Sequence, residues 1–312
     1  MNTERKYANW ALIAVAMLLF GTAIATVQFK VPVVMGDIMT NMNMDPGSAS
    51  WLMSIFTFVG IILALPTGAL AKKFGPKTML LAAAVVVAIG SLVGAFAGNG
   101  TVLIVSRGIE GVAFIFVTIC GPLAVQKYVA PEKIGSATGI WALWVCLGSV
   151  VGGVLTPTLY GATGFVGVWV IYAALCVIFA VIVAVIVKFP GGEVQEAPAA
   201  EAEAAAEEKV SYGELFKPNT LLFYVAFLVF NMTLMAVLGF SPTFMQQQGV
   251  DPTLSGFIST LPMLLAVISS PLFGSLSDKM GRCKPLYLIA LVVMGPCSFL
   301  LLTQTGPLMW VG

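Results

Sequence analysis

Three ionisable residues, Lys30, Arg107 and Glu110, fall inside long apolar runs of this 312-residue chain. A charge at the centre of a bilayer costs about 2.5–3.5 kcal/mol on insertion scales, so such residues turn toward protein or a water-filled cavity. Lys30 lies six residues before the end of its run and Arg107 six after the start of its own. At about 1.5 Å per residue both sit about 9 Å from the same membrane face. Two cations at one depth could hold a small anion. Glu110, three residues from Arg107, shares its helix face and could accept a proton. A plainer account stands beside each. Lys30 could snorkel to headgroups, Arg107 could hydrogen-bond a neighbouring backbone, and Glu110 could serve only to neutralise Arg107. Together the three carry a net charge of +1, which favours an anion over a cationic drug. Asn231 and Thr233, in a later run, could bind solute or tie helices together, the latter worth about 0.6 kcal/mol.

The elements that position these residues follow from composition. The chain is 59% hydrophobic and only 9% charged, against about 25% charged in a soluble domain. A water-exposed surface cannot be built from so few charges. The absence of histidine removes His-based acid–base chemistry and most zinc sites. The five cysteines are scattered without a C-x-x-C spacing. No metal, cofactor or nucleic-acid partner is expected, and no hydrolase or phosphate-loop motif points to an enzyme. Runs of about 20 apolar residues occur at 9–36, 48–71, 78–97, 101–125, 133–158, 166–187, 219–244, 253–276 and 286–304, and another begins near Pro307. Thirteen of the fifteen Lys and Arg residues fall in alternate loops or the N-terminus. The positive-inside rule then places the N-terminus in the cytoplasm and the chain in the plasma (inner) membrane as a multi-pass protein.

Residues 189–217, rich in Ala and Glu, read as a cytoplasmic linker. They divide a six-helix bundle, 1–188, from an incomplete second bundle, 218–312. The halves repeat each other. Asp45-Pro46 and Asp251-Pro252 each stand 23 residues before a glycine, Gly68 and Gly274, at a constant offset of 206. Such repeats occur in transporters. Pro32 and Pro242 occupy matching places in the first and seventh runs and would bend them. Gly148, Gly152 and Gly153 would let the fifth run approach a neighbour closely. Trp141 and Trp144 lie on one face of that run and read as aromatic packing, with cavity lining as the alternative.

The stretch Gly274–Lys284, GSLSDKMGRCK, resembles the cytoplasmic loop motif of the major facilitator superfamily, with Asp278, Gly281 and Arg282 at its characteristic positions. The first-half copy matches at Gly68 and Gly75, but Lys72 stands where the family has Asp and Pro76 where it has Arg. Arg107-x-x-x-Gly111 is similar to the family's helix-4 motif, and the helix-5 glycines match until Gly153 replaces a proline. Within the superfamily the chain looks like bacterial cyanate/nitroimidazole-type members. The resemblance implies an all-α membrane fold of two half-bundles that rock around a central site, a glycine seam on helix 5, and a latch between Asp278 and the start of helix 5. It implies twelve helices, so this chain is expected to be a fragment or a truncated protein. The expected function is secondary active transport of a small, anionic solute, with a proton as a possible coupling ion. Proton-coupled drug or metabolite efflux and a non-transporting remnant or receptor are the alternatives.

Overall fold

A computed structural model describes residues 9–187 and 217–280, with positions 288, 289, 292, 293 and 296. Every element among them is helical. The helices are α1 (Trp10–Asn41), α2 (Pro46–Phe74), α3 (Pro76–Ala95), α4 (Gly100–Tyr128), α5 (Ile134–Trp141), α6 (Trp144–Ile186), α7 (Pro218–Gln247) and α8 (Pro252–Met280). Six helical stretches are long and apolar enough to cross a membrane, by length and composition. Linker residues 189–216, most of the ninth run, Gly281 and Arg282 lie outside the described residues.

Local chemistry sets the helix ends. Asp45 accepts from the backbone N–H of Gly47 and Ser48 at 2.9 and 3.1 Å, with Pro46 at the first helical position. Asp251 does the same for Thr253 and Leu254, at 2.9 and 3.1 Å, ahead of Pro252. The two Asp-Pro pairs of the repeat are thus the same capping device. Asn9 and Asn99 cap α1 and α4. Gly75, at φ +82°, ends α2 in a conformation that disfavours a Cβ, and Pro76 starts α3.

The fifth and sixth runs are distributed differently from the expected pair of spans. The fifth is divided by a tightened turn at Ala142–Leu143, where Leu143 N–H donates to Ile140 O at 3.2 Å. Its remainder and the sixth run share α6, whose path breaks at Gly164 (φ +68°, ψ −172°).

Two compact units divide the chain: residues 1–190 with 239–271, and 191–238 with 272–312. In the first, α1 is central. It runs against α6 and also meets α4, while α3 packs on α4 and α6, and α2 on α4. Every α1 residue from Ala23 to Met35 is buried. A helix apolar on all sides belongs in such a place. In a membrane, close packing of small residues holds helices together more than apolar burial does. A methyl at Gly111 of α4 would lie 2.5 Å from the Phe56 carbonyl of α2, and one at Gly148 of α6 only 2.3 Å from the Ala25 methyl of α1. In the second unit, the described part of α7 has its Asn231 and Thr233 side chains bonded to their own helix, at Phe227 O (2.9 Å) and Val229 O (3.0 Å).

Candidate functional site

Five helices of the first unit converge on Lys30, Arg107 and Glu110. The α-helical spacing of Arg107 and Glu110 puts both on the face of α4 turned toward α1, α2 and α3. All three side chains are fully buried. Glu110 is the hub. Its Oε1 accepts from Lys30 Nζ at 2.7 Å and from Ser91 Oγ of α3, and its Oε2 accepts from Arg107 Nη1. Gly90 of α3 makes room for it, since a methyl there would meet Glu110 Cγ and backbone N at 3.0 Å.

Arg107 spends its remaining donors on backbone. Nε donates to Leu52 O of α2 at 3.1 Å, Nη1 to Val27 O at 2.8 Å, and Nη2 to Gln28 O at 3.3 Å. The last bond has a cause in the sequence. Pro32 has no N–H, so the Gln28 carbonyl four residues earlier lacks its helical donor. Arg107 fills that vacancy. Four of its five N–H groups are engaged. The face of Phe56 lies 4.4 Å from its guanidinium carbon.

Lys30 is satisfied less completely. One of its three N–H donors goes to Glu110, and the ammonium rests 4.2 Å from the centre of the Trp169 ring on α6. It is turned into the bundle rather than along the helix toward headgroups. Phe165 stacks on Trp169 with centroids 4.1 Å apart, and Gly94 gives the indole its place. The indole N–H is buried without a hydrogen-bond partner. Two cations and one carboxylate leave a formal +1 in the buried interior. Carbonyl dipoles and two aromatic faces offset part of that charge, a desolvated cation–π contact contributing about 2 kcal/mol.

Ser91, Trp169 and the three carbonyls are members that the residue-type reading missed. Pro32 carried a usable signal, because a proline inside a helix predicts a free carbonyl four residues before it. Trp169 had none, being one aromatic among many.

The other singled-out residues are elsewhere. Gly148 and Gly152 face α1, at Ala25 and Phe29, whereas Gly153 meets α8, a methyl on it lying 2.7 Å from Gly256 O. Trp141 fills the space left by Gly21 and Gly121 and stacks on Trp144 with centroids 5.3 Å apart. Asn231 belongs to the second unit. Gly68 has open space around it. Gly274 and Asp278 lie in the helical backbone of α8. No group of His, Cys, Asp and Glu suited to a metal occurs among the described residues.

Residues 11–312 match the profile of the family described as Major Facilitator Superfamily. The galactose-proton symporter of Escherichia coli (strain K12) is 32% identical over 172 residues, covering 54% of this chain and 36% of that protein. The chain thus spans about a third of the length of that relative. The probable nitrate transporter NarT of Staphylococcus haemolyticus (strain JCSC1435) is 25% identical over 279 residues, 86% of this chain and 69% of the relative. Among solved structures, a bacterial homolog of the human lysosomal transporter Spinster, inward-facing and occupied, superposes with a TM-score of 0.75 at 18% identity, covering 96% of this chain and 70% of that one. The D-xylose-proton symporter does so with a TM-score of 0.59 at 17% identity, covering 86% and 68%. These likenesses show the fold.

Proposed function

Because the chain belongs to the Major Facilitator Superfamily, we propose that it carries a small monovalent anion across the inner membrane by alternating access, with Lys30 as the solute contact. The observation behind this reading is the sharing of one buried carboxylate by two buried cations. The site holds one positive charge too many, and a monoanion would neutralise it. Lys30 retains unused donors while Arg107 is nearly saturated. Lys30 would therefore meet the solute, and Arg107 would position Glu110 and the kinked turn of α1. Likeness to a probable nitrate transporter supports an anion.

The assay is uptake of labelled nitrate into proteoliposomes, with galactose as the neutral control. Lys30→Gln is expected to abolish nitrate uptake. Nitrate uptake that survives Lys30→Gln unchanged sinks the assigned contact, and no anion uptake at all sinks the function.

Glu110 favours one other reading, cotransport of a neutral solute with a proton taken by its carboxylate. Likeness to a galactose-proton symporter supports it. Galactose uptake driven by an inward proton gradient and lost in Glu110→Gln would select it. The distribution of Lys and Arg supports a cytoplasmic N-terminus and a cytoplasmic 189–217 linker.

A further inference from the structure

The turn of α1 that carries Lys30 is held from two directions. Arg107 binds the carbonyls of Val27 and Gln28. About 7.5 Å further along the helix axis, α7 binds the carbonyls of Pro32 and Val33: Thr243 Oγ1 donates to Pro32 O at 3.3 Å, and Gln246 Nε2 to Val33 O at 3.0 Å. Gln246 Nε2 also reaches Ser255 Oγ of α8 at 3.1 Å. Beside this contact, Gly153 of α6 and Gly256 of α8 meet backbone to backbone, with a methyl on Gly256 falling 2.0 Å from Gly153 O. All these residues lie in the first compact unit. The first set of bonds precedes Pro32 and the second begins at it, in a helix whose hydrogen-bond ladder lacks the Pro32 donor.

We propose that Gln246, with Thr243, is a positioning residue for the charge site: it clamps the Pro32 turn of α1 and so keeps Lys30 on Glu110 and the Gln28 carbonyl on Arg107. Release of α7 from Pro32 and Val33 lets the turn relax, and Lys30 becomes free to exchange Glu110 for a solute. The inference rests on the reading of Lys30 as the solute contact.

Cys176 is a built-in reporter. It is fully buried on α6, two turns from Trp169, whose ring lies against Lys30. In the chain with its other four cysteines replaced by serine, held in nanodiscs, its rate of reaction with a small methanethiosulfonate reports opening of the site. Loss of both Gln246 bonds, in Gln246→Leu, is expected to raise that rate about tenfold. Thr243→Val removes one bond and is expected to raise it about threefold, which keeps the test open if the first variant does not fold. Pro32→Ala restores an N–H for Gln28 O and closes the ladder. In that background the Gln246→Leu increase should shrink to less than half. An unchanged rate in both α7 variants, or an equal increase with and without Pro32, overturns the proposal. The charge of the reagent tests the underlying reading separately. An anionic methanethiosulfonate that reacts no faster than a cationic one sinks the anion assignment without touching the clamp.

Discussion

At the scale of the residue, the charge balance of the buried cluster decides what each substitution does. Glu110→Gln leaves two cations without a carboxylate. Breaking a buried pair in this way costs about 3–5 kcal/mol, so a large drop in the detergent melting temperature is expected. Lys30→Met instead leaves the bonded, neutral pair of Arg107 and Glu110, and should melt at or above the wild-type temperature while losing transport. Equal melting of the two variants would show that the +1 balance has no energetic weight. Trp169→Phe keeps an aromatic face for Lys30 and deletes the unpartnered indole N–H. Little change in stability is expected, whereas Trp169→Leu should lose about 2 kcal/mol of cation–π attraction, again read by melting.

At the scale of the element, close approach and capping are the controlling facts. Gly111→Ala forces a methyl against the Phe56 carbonyl. Backbone cannot swing aside as a side chain can, and overpacking of this kind costs about 1–3 kcal/mol. Gly68→Ala has open space around it in α2, where Ala is favoured by up to about 1 kcal/mol. Melting temperatures should move in opposite directions for these two glycines. If Gly68→Ala nevertheless lost transport, Gly68 would matter for motion rather than for packing. The cap of α2 has a pH dependence. Hydrogen bonds from the Ser48 side chain and then from backbone N–H groups hold the exposed Asp45 carboxylate below its ordinary range. A carboxylate depressed in the folded state adds stability that is present above its unfolded pKa, near 3.9, and is lost as pH falls through the folded value. The protection of the amides at the start of α2, corrected for intrinsic exchange, should therefore fall as pH drops below about 4, toward that of an Asp45→Ala control in which it is already low.

At the scale of the molecule, the spans and the glycine contacts were legible in sequence for different reasons. Apolar runs found the transmembrane helices because membrane solvation demands them of any spanning segment. The Asp-Pro repeat announced two equivalent segments, and in the structure both aspartates cap a helix. The glycines of the fifth run announced close approach, but a small residue does not name its neighbour. Gly148 and Gly152 face α1, and Gly153 faces α8. The positive-inside placement of the linker predicts that a protease cuts within 189–217 in inside-out vesicles and spares right-side-out ones. Cleavage in the opposite orientation would invert the topology and with it the direction assigned to every loop.

The sequence by itself determined that this chain spans a membrane, repeats itself, and carries three charges where charges are costly. Those conclusions depend on residue type and spacing, which solvation and helix geometry act upon locally. Only the tertiary structure decided how the charges are shared. Lys30 and Glu110 are 80 positions apart, and no local rule pairs them. The division of labour between a nearly saturated Arg107 and a less satisfied Lys30 arises because α1 and α2 bring backbone carbonyls to one guanidinium, while α6 brings an aromatic face to one ammonium.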